Sequence, residues 1–482
     1  MNYETNPLQA FNENDILLYH VRIISDKKTF SFFILSTLLS PVSCLLTPSS
    51  FIYNCSTGHD ISMSIFEKLE SNVRTYSRSF PAVFEKAKNA LLYSEEGKRY
   101  IDFFAGAGSL NYGHNPPEVS AALIAYLQED GILLSLDKET RAKKEFLEQF
   151  SDLILTPRNL EYRVQFTGPT GANAIEAALK LSRTVKKRRG IIAFTNAFHG
   201  LTQGALSITG NSYYRNNFSL QDACVNFMPY DNYFGPEHNT ASFLRRMLED
   251  PSSGIDIPAA IILEAIQAEG GVNVASRNWL EEIQQICIDF DILLIVDDIQ
   301  VGNGRSGSFF SFEDAGISPD IVVMAKSIGG GLPMSLVLIK PEHDQWKPGE
   351  HTGTFRGNNL AFVASISLLN YWKDDGLKNA VIRKSQIVQD RLQNIANQYK
   401  EMNMEVRGKG LIQGLKIPEE GFSRKVSRNA FKQGLIIETA GSYNEVLKLL
   451  PPLTIEDELL LEGLDIIEKL VKQSFESQEE EA

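Results

Sequence analysis

From about residue 161 to 338 the chain alternates short apolar, β-rich runs with longer stretches of helical periodicity. The runs are RVQFT (163–167), IIAFT (191–195), AAIILEA (259–265), ILLIVD (292–297), IVVMA (321–325) and MSLVLI (334–339). Several are apolar at every position, the pattern of strands buried on both faces of a parallel sheet. Helices over about 172–186 and 279–290 supply crossovers. The expectation is a mostly parallel, doubly wound α/β domain that holds its ligands at the carboxyl ends of the strands.

The flanking patterns differ. KAKNALLYSEEGKRYIDFFAGAGSLNYGHN predicts short strands joined by a Glu-Gly turn. Beyond the core, two helical stretches (about 358–400) lead to EVRGKGLIQGLKI, GLIIE and EVLKLL, then to an amphipathic helix from about Ile455. These predict a smaller α+β domain assembled from both chain ends, residues 63–115 and 371–482, packed on a large domain of 116–370. Residues 1–62 stand apart. Their apolar run 30–46 follows Lys27 and Lys28, is short for a membrane span and is broken by Pro41. A long polar lead-in is also unlike a signal peptide. The reading favoured is an N-terminal extension, a leader from an upstream start codon, with Met63 opening the first domain. A loosely ordered appendage and a membrane or targeting element stay open.

Composition narrows the function. A net charge of −13 argues against a nucleic-acid partner. The one basic run, RTVKKRR (183–189), closes a predicted helix, where cations suit the dipole. Cys44, Cys55, Cys224 and Cys287 are widely spaced and form no CxxC pair, and no HExxH occurs. Disulfides and a metal site are therefore not expected, and a reducing cytoplasm is. The acidic C-terminal tail from Glu476 reads as a frayed, solvated end.

Two charged residues end apolar strands: Asp297 after ILLIV and Lys326 after IVVMA. Pyridoxal phosphate needs such a pair, a carboxylate for its ring nitrogen and a lysine to form a Schiff base with its aldehyde. A third segment, FTGPTGANAIEAALKL, runs from a strand through Gly168 and Pro169 into a helix. Thr170, Gly171 and Ala172 could there cradle a phosphate at the helix N-terminus. Phe198 ends another strand and could stack on a ring, with Ile299 on the opposite face and Gln300 reaching a ring hydroxyl. Taken singly, each feature has a plain alternative: a lysine snorkelling to solvent, a capped Gly-Pro turn, a core phenylalanine.

Together they resemble a family. GPTGANAIEAALKL, AFTNAFHGLTQGAL, ILEAIQAEGGVNVAS, LLIVDDIQVGNGRSGSFFSFE, PDIVVMAKS, GLPM and KPGEHTGTFRGNNLAFVAS are similar to segments of class III pyridoxal-phosphate aminotransferases of fold type I. The resemblance runs from about Met63 to the C-terminus. It implies Lys326 as the Schiff-base lysine, Asp297 as the ring-nitrogen partner and Gln300 as the contact to the ring oxygen. It also implies phosphate contacts from Gly171 and Ala172, and a sandwich of the ring by Phe198 and Ile299. Thr354 would reach the phosphate of a neighbouring subunit, making the protein a homodimer or higher even oligomer, and Glu269 would be a switch acid that admits two different substrates. Many members that act on terminal amines carry Arg where this chain has Leu201, and another where it has Lys448. Neither replacement offers an arginine's bidentate fork. Lys448 and Arg78 are the candidates to bind a substrate carboxylate. The resemblance is nearest to the branch that takes a diamino acid donor and a 2-oxo acid acceptor. Another ω-amino acid or diamine aminotransferase, or an aminomutase of the same fold, is the alternative.

Overall fold

The computed structural model describes the backbone of three strands before residue 38, residues 64–215 and residues 224–479. Contacts divide the chain into Met1–Asn72 and Val73–Ala482. In the first unit, Tyr3–Pro7, Ile16–Ser25 and Lys28–Thr37 form an antiparallel meander, followed by a short helix, Ile65–Leu69. The apolar run 30–46 enters the last of these strands, and its remainder lies outside the described residues. No helix among the described residues is long and apolar enough to cross a membrane.

The second unit is built on a seven-stranded sheet. Its strands are β1 (Arg163–Phe166), β2 (Ile191–Phe194), β3 (Val225–Met228), β4 (Ala260–Leu263), β5 (Leu293–Asp297), β6 (Ile321–Met324) and β7 (Leu336–Ile339). Their order is β1-β7-β6-β5-β4-β2-β3. β3 escaped the sequence reading because VNFM is a four-residue edge strand, only partly buried. Only β7 runs against the others. The chain between β6 and β7 holds a single 3-10 turn, Lys326–Gly329, and too few residues for the helical crossover that a parallel neighbour requires.

Burial on both faces explains the uniformly apolar strands. Ile261, Leu263, Leu294 and Val296 enter one core, shared with Phe146, Phe150 and Trp279. Their neighbours Ala260, Ile262, Leu293 and Ile295 enter the other, beneath the helix Gly171–Lys186. Successive strand residues point to opposite faces, so a sheet covered on both sides needs apolar residues at every position.

The chain ends meet in two further sheets. Leu435–Ile436 pairs parallel with Arg99–Asp102, and Leu91–Ser94 and Phe84–Lys88 complete that sheet. Glu405–Lys409, Ile412–Lys416, Val446–Leu449 and Glu438–Ala440 form the other, wholly antiparallel. Arg305, fully buried, pins these parts to the loop after β5 through Asn111 Oδ1 and the carbonyls of Leu411 and Pro451. The final helix, Asp457–Glu479, runs further than the tail's acidity suggested. Phe475 packs on the Tyr399 ring at 4.9 Å, which gives the last turns an apolar anchor.

Candidate active site

Parallel pairing of β5 and β6 sets Asp297 opposite Val323, so Asp297 and Lys326 emerge at neighbouring strand ends. Between them and the helix Gly171–Lys186 lies a cavity of about 160 Å³. Gly171, Ala172, Phe198, Glu269, Asp297, Ile299, Gln300 and Lys326 line it, which brings eight of the twelve candidate residues to one place.

Asp297 is buried, and each of its oxygens has a partner. Its Oδ2 lies 2.7 Å from His199 Nδ1, and its Oδ1 accepts from the Ile299 N–H at 3.1 Å. His199 is held in turn by its own N–H, which donates to Thr209 Oγ1 at 3.0 Å. These two contacts fix the orientation of a carboxylate that lines the cavity. Lys326 donates from Nζ to the Ala107 carbonyl at 2.9 Å, and burial pushes its amine below the usual lysine range. That shift favours the neutral, nucleophilic form. The Lys326 backbone is left-handed, with φ of +53°, a conformation lysine rarely takes. Ser327 Oγ, donating to the Gly108 carbonyl and accepting from Asn111 N–H, holds the segment there.

The substrate side is a chain of polar contacts. Gln300 Nε2 donates to the same Ala107 carbonyl at 2.8 Å and to Glu269 Oε1 at 3.0 Å. Glu269 Oε1 accepts from Lys448 Nζ at 2.6 Å, and Lys448 lies 3.0 Å from Glu438 Oε1. Burial would raise the Glu269 carboxyl, but Lys448 and Lys326 outweigh it and hold the group below its normal range. Glu438, more enclosed, is pushed up to about 7 by burial, against the pull of Lys448. Lys448 is itself raised, because the two carboxylates overcome its loss of water.

The remaining candidates lie outside the cavity lining. Thr170 caps the helix Gly171–Lys186 and is exposed. Thr354 is exposed, as is Arg78 on the short helix Tyr76–Ser79. Lys448 stands behind Glu269, wholly buried. Two residues that sequence reasoning passed over belong to the site: His199, and Glu264, which also lines the cavity. Glu264 accepts from the Phe198 N–H at 3.2 Å and is driven well above the usual carboxyl range by burial, with Asp297 adding to the effect. Its position directly after the apolar strand AAIIL was a signal, since a charge there cannot stay buried unpartnered.

Whether these residues suit pyridoxal phosphate can be tested on the cavity itself. A side chain at Gly171 would meet Ile299 Cδ1 at 2.8 Å, so only glycine leaves the slot open beside the helix N-terminus. The Gln300 side-chain oxygen Oε1 and His199 Nε2 are buried with no hydrogen-bond partner among the described residues. A small cavity lined by the first residues of a helix, a buried carboxylate and a buried amine fits the cofactor.

The comparisons with known proteins agree. The family model "Aminotransferase class-III" matches residues 73–471, and the chain belongs to that family. Among curated relatives, a diaminobutyrate–2-oxoglutarate transaminase of Wolinella succinogenes is 60% identical over 417 residues, covering 86% of this chain and 98% of that protein. One of the same name from Bordetella parapertussis is 54% identical, covering 86% and 97%. Among solved structures, the ornithine aminotransferase of Toxoplasma gondii superposes with a TM-score of 0.75 at 28% identity, over 86% of this chain and 94% of that one.

Proposed function

We propose that this chain is a pyridoxal-phosphate-dependent transaminase that moves the 4-amino group of L-2,4-diaminobutyrate to 2-oxoglutarate, giving aspartate 4-semialdehyde and glutamate. The observation that carries the chemistry is the buried Lys326 amine facing the same cavity as the locked Asp297 carboxylate. The donor and acceptor follow from the names of relatives that match almost end to end.

Pyridoxal phosphate, when bound, supplies an aldehyde to capture amines and a ring that withdraws electrons. The chain's own residues do the rest. Asp297 would hold the ring nitrogen's proton, and His199 and the Ile299 N–H keep its carboxylate in place. Phe198 and Ile299 line the slot and would flank the ring, and the N–H groups of Gly171 and Ala172 would hold the phosphate. Lys326 takes a proton from the substrate carbon that bears the reacting amine and later returns one, as base and then acid. Its lowered basicity suits both duties.

A homodimer is part of this reading. Ile132, Leu133, Leu134 and Leu136 are exposed, and Asn359 Nδ2, donating to the Leu133 carbonyl, ties that loop to the segment carrying Thr354. An apolar surface beside Thr354 suits burial against a second copy, where Thr354 could reach the partner's phosphate site.

The test is the visible absorbance of the lysine-bound cofactor in purified holoenzyme, whose dimer is checked by sedimentation. Diaminobutyrate alone should abolish the band, and 2-oxoglutarate should restore it. A band indifferent to diaminobutyrate but responsive to other ω-amines would replace the proposed donor.

A further inference from the structure

Lys448 carries more negative charge around it than one switch acid requires. Its side chain is wholly buried, with Glu269 Oε1 at 2.6 Å and Glu438 Oε1 at 3.0 Å. The two carboxylates differ in how they are held. Glu438 is the direct cross-strand neighbour of Lys448 in the sheet formed by Glu438–Ala440 and Val446–Leu449, so strand register fixes its place. Glu269 sits in the loop after Ile266–Gln267, lines the cavity and shares itself with Gln300. Glu438 does not line the cavity, yet its charge is felt by the Lys326 amine.

The two substrates make opposite demands on this wall. The diamino donor carries two ammonium groups and one carboxylate, and its reacting carbon bears no carboxylate. The 2-oxo acid carries two carboxylates, one attached directly to the reacting carbon. A buried ammonium with a single counter-charge would favour dicarboxylates and penalise the cationic donor.

We propose that Glu438 is a specificity-determining residue: as a fixed second counter-charge on Lys448 it leaves the wall net negative, favouring the diamino donor and restraining dicarboxylates, while Glu269 is the exchangeable partner. This rests on the donor and acceptor proposed above. Glu438 acts through its charge and touches neither substrate. Removing one buried charge at the edge of a small cavity shifts ligand affinity on the order of three- to tenfold, upward for anions and downward for cations.

The experiment compares holoenzymes of the wild type, Glu438→Gln and Glu438→Asp at about pH 8, above the point to which burial lifts Glu438. Binding of glutarate, an unreactive dicarboxylate, is measured by calorimetry, and KM for diaminobutyrate by initial rates. Glu438→Gln should bind glutarate about three- to tenfold tighter and raise the donor KM by a similar factor, with kcat changing less. Glu438→Asp, which keeps the charge, should stay near the wild type. Should the glutamine variant not fold, Glu438→Met, neutral and similar in volume, takes its place. Both constants worsening together, as a packing defect would produce, or neither moving, overturns the proposal. If the wild type does not turn over diaminobutyrate, the functional reading falls, and the glutarate arm still decides the role of Glu438.

Discussion

Asp297 and Lys326 stand at neighbouring strand ends of one sheet, whereas Glu269, Lys448 and Glu438 are gathered from a loop beside that sheet and two strands of another. The first pair is set by β-register within a dry core, and each member is tied to groups that cannot leave: an imidazole, a backbone N–H, a carbonyl. The second group is a cluster of ionisable groups around the buried Lys448, one of them, Glu269, carried on a loop. On the proposed function, chemistry that never varies between the half-reactions falls to the rigid wall, and recognition that must alternate falls to the wall that includes a loop.

Three substitutions probe that division. Lys326→Ala should abolish transamination while leaving the unfolding midpoint close to the wild type, since its backbone segment is held by Ser327 and Asn111. Measurable turnover in that variant, with no amine added, would break the assignment of the rigid wall. Lys448→Met should show the reverse emphasis. It leaves the buried Glu438 and half-buried Glu269 carboxyls together without their cation, a loss of at most about 3–5 kcal/mol readable in urea melts. A melt unchanged from wild type would mean the charge cluster is not what holds this wall. The smallest effect belongs to Asp298, next to Asp297 but turned away to accept from the Ser311 N–H. Burial raises its carboxyl to about 7. The folded state therefore keeps a proton that the unfolded state has already released, and stability contributed by this group is lost as pH climbs from about 4 to 7. Asp298→Asn should flatten that fall in stability without changing turnover at a pH where both proteins are folded.

The two walls also differed in how far the sequence revealed them. Asp297 and Lys326 were legible because a charged residue at the end of a uniformly apolar strand has few places to be. Gly171 and Ala172 followed from a strand–turn–helix pattern, and Phe198 and Ile299 from their places at strand ends. His199 was not, since its partner Asp297 is 98 residues away and nothing local distinguishes it from a histidine in a turn. Glu438 was equally hidden. GLIIE and EVLKLL each read as a strand with one inward charge, and only their register shows that the charges face each other. A usable clue was there: opposite charges inside two apolar strands of one small domain have strong reason to pair. The hand of β7 was missed for a simpler reason, the shortness of the turn through Lys326, which periodicity does not weigh.

The left-handed backbone at Lys326 has a practical consequence for anyone improving this protein. Such a conformation costs a lysine roughly 1–2 kcal/mol, and glycine adopts it freely. Replacing the residue also removes a buried amine. Selection for heat resistance in the absence of the cofactor will therefore reward Lys326→Gly, and the hardiest clones recovered will be those that can no longer react. Ranking by melting temperature alone would steer a laboratory lineage steadily away from the enzyme it set out to keep.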